Sequence, residues 1–576
     1  MIRNVLLSFS FYIILHHSVL AQTYIVNTNV LDVEKKKLLH GQTVVIENDK
    51  ILTVNSSKKI KPPGTARIID GSGKYLVPGF VDAHVHFFQS GGLYTRPDVI
   101  DLRKYKPYRQ EIAWTHENME DLLRRYVKAG ITTVIDVGSS VNFLIQRDSF
   151  QNKSYAPVIY MTGPLLTTWE PEEYKNLGRD EPFYEMKSED DARKYVRKQL
   201  PFRPDFIKIW YIVTDRNIEQ EARKSLPLVQ AVIDESHKHN LKVAVHATER
   251  ITAQLAVESG CDFLVHGVDD EIVNDQFLQL LKSKNVVLCP TLSVSANYNE
   301  VLGQEHQLSY TDYTNANPFS IGSLFDLKHI EDTSLVNDYK KFVRSRAVYD
   351  RTSDSVLRIN LKKLVDGGVL IATGTDAGNI GTFHASSYFE ELKNMQLSGM
   401  NLWQILQAST INGAKILGKE KLYGSIEPGK VASMLLLKAN PLDSITNWQK
   451  TELIINRGTI LNSDTLVKET PHVLVQRQLN AYNGHNIEAF LEPFAEDVQV
   501  FTFPDSLMIQ GKEQMRKSYQ FITRLPGLHC EIRNRMIKGN MIIDQEIVTG
   551  LNKDPIEGIV IYLIEENKIR KVYFLE

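Results

Sequence analysis

The sequence predicts an α/β protein. Its centre is a (β/α)8 barrel of the TIM type, flanked by a β-sandwich built from N- and C-terminal segments and followed by an α+β cone-shaped domain. Three observations carry this reading. Eight short apolar runs fall at 77–86, 131–137, 157–162, 205–212, 241–246, 262–267, 286–292 and 369–376, with amphipathic helical stretches between several of them. Short β-type runs bounded by turn residues lie both before and after that region. Past Pro471 the order changes to helices first and strands after. A chain of 576 residues is too long for one core, so two or three domains are expected.

Taken in order, the chain opens with Arg3 ahead of the almost wholly apolar run Val5–Leu15, then the small-residue pattern Val19-Leu-Ala21. That is the signature of a secretory signal peptide over 1–21, with Gln22 beginning the mature chain, and it implies a secreted or periplasmic protein. The apolar run is too short to span a bilayer. Residues 22–75 read as short strands separated by Asn48-Asp49 and Gly71-Ser-Gly73, and the segment 419–468 supplies the returning strands of the same sandwich. Residues 76–418 form the barrel. Met119–Ala129 and Ser225–His239 are good examples of its helices, with apolar residues recurring at three and four. A further helix is expected over 401–418.

Two inserts interrupt the alternation, Phe87–Trp114 after the first strand and Ser293–Leu357 after the seventh. Long loops on the open face of a barrel shape its pocket, so these are expected to form a lid. Residues 472–576 form the last domain, with His485, Asp505 and His529 as polar candidates for a pocket in its cone.

Lys plus Arg is 67 and Asp plus Glu is 69, so nothing suggests an electrostatic grip on nucleic acid or on an anionic membrane. The three cysteines, Cys261, Cys289 and Cys530, are too few and too scattered for a disulfide framework and read as buried small hydrophobes.

The chemistry begins at Leu76-Val-Pro-Gly-Phe-Val-Asp-Ala-His84-Val-His86. Residues i and i+2 of a strand share a face, so His84 and His86 point the same way. Neutral imidazole is the commonest protein ligand for zinc-like ions. Partners follow at the ends of later apolar runs: Lys208 in Asp205-Phe-Ile-Lys-Ile-Trp, His246 in Lys242-Val-Ala-Val-His, His266 in Asp262-Phe-Leu-Val-His, and Asp376 in Val369-Leu-Ile-Ala-Thr-Gly-Thr-Asp. In a (β/α)8 barrel the strand C-termini converge on one open face, where the chemistry sits.

With these motifs, and with Gly374-Thr-Asp376-Ala-Gly, Ala408-Ser-Thr-Ile-Asn412-Gly-Ala and Gly424-Ser-Ile-Glu-Pro-Gly429-Lys, the sequence resembles the amidohydrolase superfamily from about Gln22 to Thr465. Within it the imidazolonepropionase-like branch is the most similar. The usual final turn reads Gly-Lys-x-Ala-Asp, whereas this chain has Ser433 at the last position, away from the metal ligands. The last domain resembles the SnoaL-like, ketosteroid-isomerase-like fold through Leu479-Asn-Ala-Tyr-Asn-x-His485-Asn-Ile-Glu-Ala-Phe and Phe494-Ala-Glu-Asp497-Val.

The resemblance implies a ligand set. His84, His86 and Asp376 would hold one divalent ion and His246 and His266 a second, with Lys208 carboxylated by CO2 to bridge them. Two zinc ions are expected, with manganese, iron or cobalt also suited to N/O ligands. Asp376 would be the catalytic proton carrier, and His384, Tyr160 and Tyr211 would touch substrate. The implied activity is a secreted hydrolase cleaving the C–N bond of a small amide, cyclic amide or dipeptide. One alternative is a mononuclear deaminase in which Glu249 of His246-Ala-Thr-Glu shuttles protons; the other reading of Glu249 is a carboxylate at a helix start. A second alternative is a non-catalytic binding protein. The last domain could serve as a stabilising module or hold copies together in a homo-oligomer.

Overall fold

The computed structural model describes residues 22–575; the expected signal peptide, 1–21, lies outside the described residues. The N-terminal strands Thr23–Asp32, Lys37–Glu47 and Lys50–Ser56 form an antiparallel meander. The strand Tyr75–Pro78 pairs in parallel with the first of these and antiparallel with Met434–Leu437, placing Val77 opposite Leu435. The two ends of residues 22–468 thus share one eight-stranded sheet. Its alternating residues, such as Ile25, Val44, Leu76, Met434 and Ile455, pack a core of their own.

The strands that carry the polar candidates are parallel. Phe80–Val85, Ile131–Asp136 and Val158–Met161 form a three-stranded sheet, and Phe206–Trp210, Lys242–His246, Phe263–Val265, Val287–Cys289 and Leu370–Ile371 belong to a seven-stranded one. Backbone bonds join the edges of the two sheets: Ala83 N–H to Thr373 O at 2.9 Å, Asp376 N–H to His84 O at 2.7 Å, and Asp205 N–H to Met161 O at 3.0 Å. The last apolar run is expected to be a strand through 376, but its regular part ends at Ile371, and Asp376 further on turns into the left-handed region with φ of 60°. Two edge strands that the pattern did not suggest, Leu165–Thr167 and Phe183–Glu185, extend the larger sheet beside Trp210.

One side of these strands meets the helices, and the other meets a second apolar cluster containing Val81, Ile135, Phe206, Ala244, Phe263 and Cys289. The helix expected over 401–418 is broken by a π turn at Ala408–Asn412 between Leu402–Gln407 and Gly413–Ile416. Cys261, Cys289 and Cys530 are buried and free. Among the described residues no helix is long and apolar enough to cross a membrane.

The second insert is helical: Val294–Gly303, Tyr310–Asn315, Pro318–Leu324 and then the long helix Thr333–Asp366. The last domain follows with helices Pro471–Asn483 and Ile487–Leu491 and a six-stranded sheet. One apolar cluster runs through both inserts and this domain, joining Leu93, Ile100, Val301, Tyr313 and Ile321 to Leu474, Phe490, Leu528 and Val572. Asn480 Nδ2 donates to Pro318 O at 2.6 Å across the same boundary. The inserts and the C-terminal domain are therefore packed as one body of side chains.

Candidate metal centre

His84 and His86 end the strand Phe80–Val85, while Val85 and Phe87 turn outward into the helix-facing core. The Nε2 atoms of the two histidines are 3.3 Å apart, and each lies 3.1 Å from Oδ1 of Asp376. His86 Nδ1 donates to Gly138 O at 2.8 Å, which leaves the Nε2 lone pair facing inward. Burial pushes the His84 imidazole down to about 4. Burial would raise the Asp376 carboxyl, but His84 and His86 beside it hold it well below the usual carboxylate range. Oδ1 of Asp376 and Nδ1 of His84 are buried without a hydrogen-bond partner. Electron-rich atoms this close suit a cation, and this trio has the spacing of a metal site.

His266 stands edge-on to both His84 and His246, with ring centroids 4.9 and 4.2 Å away, and its Nε2 is 3.9 Å from Asp376 Oδ2. Thr291 Oγ1 fixes its other nitrogen at 2.6 Å. Burial holds both His246 and His266 well below the usual imidazole range, so both are neutral ligand-type rings. His266 and Asp376 both have positive φ, 73° and 60°. Such strain in non-glycine residues persists where surrounding structure enforces it, as at functional sites.

Lys208 is 1% exposed and faces the same chamber, and among the described residues no acid forms an ion pair with its ammonium. Burial pushes it down to about 7. The chamber has a volume of about 210 Å3, and its walls include Gln89, Arg96, Phe183, Trp210, Tyr298 and Asn379. Arg96 does not carry a free charge into it. Its guanidinium bonds Asp98 at 2.8 and 2.6 Å, and Nη1 reaches Tyr298 Oη and Asn379 Oδ1, each at 2.6 Å.

The three expected substrate residues lie elsewhere. Tyr211 follows Lys208 by an odd number of positions, so it points to the outer face, where its hydroxyl donates to Ala222 O. Trp210, two residues from Lys208, takes the chamber wall instead. Tyr160 stacks on Tyr423 with centroids 6.1 Å apart, in the cluster behind the metal ligands. His384 is consumed by structure: Nε2 contacts Gln89 O at 2.9 Å, Nδ1 contacts Tyr126 Oη at 3.0 Å, and the ring stacks on Phe87. Glu249 precedes the helix Arg250–Glu258, and its Oε2 takes the Thr252 hydroxyl at 2.9 Å. Arg96, Tyr298 and Asn379 went unread. Asn379 had the best signal, three residues past Asp376, whose carbonyl accepts its Nδ2 at 3.0 Å.

The chain belongs to the amidohydrolase family, whose pattern matches residues 75–461, and a SnoaL-like domain matches 475–572. It is 22% identical over 410 residues to guanine deaminase of Escherichia coli (strain K12), covering 68% of this chain and 80% of that protein. It is 24% identical over 449 residues to imidazolonepropionase of Clostridium tetani (strain Massachusetts / E88), covering 71% and 86%. Its fold is similar to that of a Xaa-Pro dipeptidase solved with methionine in its active site, at a TM-score of 0.57 and 21% identity over 77% of this chain and all of that one, 100%. The family places the chain among hydrolases of C–N bonds.

Proposed function

We propose that this protein is a secreted or periplasmic hydrolase of a small amide, cyclic amide or dipeptide, dependent on two divalent ions. In this reading the two parallel sheets close into one eight-stranded barrel, supported by the backbone bonds across their edges. His84, His86 and Asp376 would hold one ion and His246 and His266 the other, and Lys208 would contribute as its carbamate. The observation that carries it is the meeting of Asp376 with Lys208 and four histidines in one chamber. An unpaired buried ammonium is costly, and conversion to a carbamate removes it. When bound, such ions supply an activated water and polarise the substrate carbonyl.

The chain's own groups do the rest. Asp376 accepts the proton of the attacking water and returns it to the leaving nitrogen as the C–N bond breaks. Trp210, Phe183 and Phe88 offer an apolar wall, and Asn379 and Tyr298, held by Arg96, fix the rim. A chamber of about 210 Å3 is below the roughly 300–1,000 Å3 of drug-sized sites, so a small substrate fits it.

Metal analysis and 13C-bicarbonate labelling test this reading together. About two ions per chain, a carbamate carbon resonance lost in Lys208→Met, and turnover in a screen of dipeptides and cyclic amides are expected. One ion, no carbamate and ammonia release from an aminated heterocycle would instead establish a mononuclear deaminase, the reading that the similarity to guanine deaminase favours. The outward engagement of Glu249 with Thr252 weighs against it.

A further inference from the structure

A second chamber, of about 710 Å3, lies between the insert helices and the C-terminal domain. Residues 301–308 and 324–328 form one wall, and 483–487 with Thr523 and Pro526 form the other. A smaller space of about 390 Å3 adjoins it, and the two share Gln304, Lys328 and Pro526. None of these residues lines the metal chamber. His485 and His529, read from the sequence as pocket candidates, line these two spaces respectively, whereas Asp505 is exposed on a distant turn.

The lining is amphipathic. Leu308, Leu324, Phe325 and Ile487 give the larger space an apolar side. Lys328 and Lys340 face the smaller space, and neither is paired with an acid among the described residues. Partial burial and the neighbouring Lys340 charge lower the Lys328 ammonium, which keeps an exposed face. His529 is 6% exposed with Nδ1 unpartnered, and its Nε2 sits 3.3 Å from Nδ1 of His329. The nearby acids are committed or peripheral. Asp326 takes the Tyr94 hydroxyl at 2.8 Å and lies 3.5 Å from His329 Nε2, Glu531 pairs with Arg533 at 3.1 Å, and Glu305 lines the larger space with an exposed side chain. Two lysines that repel each other beside an apolar hollow are stabilised by an anion with an apolar body.

We infer that this interdomain chamber is a binding site for an amphipathic carboxylate, its head at Lys328 and its body against Leu308, Leu324, Phe325 and Ile487. The occupant would abut Val301, at the far end of the helix Val294–Gly303, whose Val294 and Tyr298 line the metal chamber. The site does not depend on the proposed reaction.

The test uses the full chain and 8-anilinonaphthalene-1-sulfonate fluorescence, with displacement by decanoate or by uncharged decanol. Saturable dye binding is expected, displaced by decanoate at about tenfold lower concentration than by decanol. Lys328→Gln should erase that tenfold preference while decanol displacement stays as it was. Ile487→Trp should fill the hollow and remove displacement by either. Asp376→Ala, in the metal chamber, should leave all of it unchanged. Equal potency of decanoate and decanol on the wild-type chain, no effect of Lys328→Gln, or loss in Asp376→Ala would each overturn the inference. Circular dichroism of each variant, and the retained decanol response of Lys328→Gln, separate loss of the site from loss of the fold.

Discussion

His84 and His86 bring their Nε2 atoms to 3.3 Å from each other, and both face one oxygen of Asp376 at 3.1 Å. Two lone pairs and a carboxylate in mutual contact repel unless a cation lies among them. Replacing His84 with Ala should therefore reduce bound metal, measured by plasma mass spectrometry on protein purified without chelator. It should also raise rather than lower the melting temperature of chelator-treated protein, because the repulsion is relieved. Unchanged metal content in H84A would remove this trio as a ligand set.

Asp136 is a positioning residue for His86. Its two oxygens accept Phe87 N–H and Gly138 N–H, each at 3.1 Å, and Gly138 O in turn takes the His86 ring proton. Asp136→Ala leaves two buried donors unpaired, at about 1–3 kcal/mol each. It should weaken metal retention by about 10–100-fold, the usual cost of losing an outer partner of a ligand. Asp136→Asn keeps acceptors at one oxygen and should recover part of both. If stability falls while metal affinity, read by chelator competition, stays at the wild-type value, Asp136 serves the fold alone.

The six candidate ligands were legible because each lies at the end of an apolar run, and the ends of parallel strands gather on one face. His246, His266 and Lys208 meet His84 and Asp376 on that basis alone. Tyr211, an odd number of residues past Lys208, lies on the outer face of its strand. Tyr160 has a side chain in the cluster behind the ligands but sits too deep, against Tyr423. His384 looked free only because its partners, the Gln89 carbonyl and the Tyr126 hydroxyl, lie far away in sequence. Arg96 and Tyr298 come from the two inserts, which no motif explains. The core that joins those inserts to the C-terminal domain is likewise a long-range product, invisible to any local window.

His116 links stability to pH away from the metal centre. Its ring stacks on Phe143 with centroids 3.8 Å apart, its Nε2 is 3.1 Å from Asp180 Oδ1, and its Nδ1 is 2.5 Å from Gln146 Oε1. Burial lowers the imidazole, but the bonds to Asp180 and Gln146 outweigh it and the net shift is upward from 6.5. A raised folded value means the protonated form is stabilised by folding. That contribution is complete below 6.5 and is lost as pH climbs through the folded value. The melting-temperature gap between wild type and His116→Gln should therefore narrow as pH rises across roughly 5 to 8 and beyond. A gap that stays constant or widens would contradict the doubly hydrogen-bonded imidazolium.

Gly484 and Tyr313 test whether the inserts and the C-terminal domain hold each other in place. Gly484 caps the helix Pro471–Asn483 with φ of −91°, a conformation open to any residue, so backbone strain does not demand glycine there. Space does. A Cβ at 484 would stand 1.7 Å from the Tyr313 hydroxyl oxygen and 3.0 Å from the ring carbon that bears it. Tyr313 belongs to the insert helix Tyr310–Asn315 and is buried in the core shared by the two regions. Gly484→Ala must push that ring away and should cost about 1–3 kcal/mol. Tyr313→Phe deletes the oxygen, which has no hydrogen-bond partner, so by itself it should be close to neutral. In the double variant the closest remaining contact is tight but no longer impossible, and most of the loss from Gly484→Ala should be recovered. A double-mutant cycle from urea unfolding measures this coupling directly. Additive effects would mean that the two regions do not meet at this point.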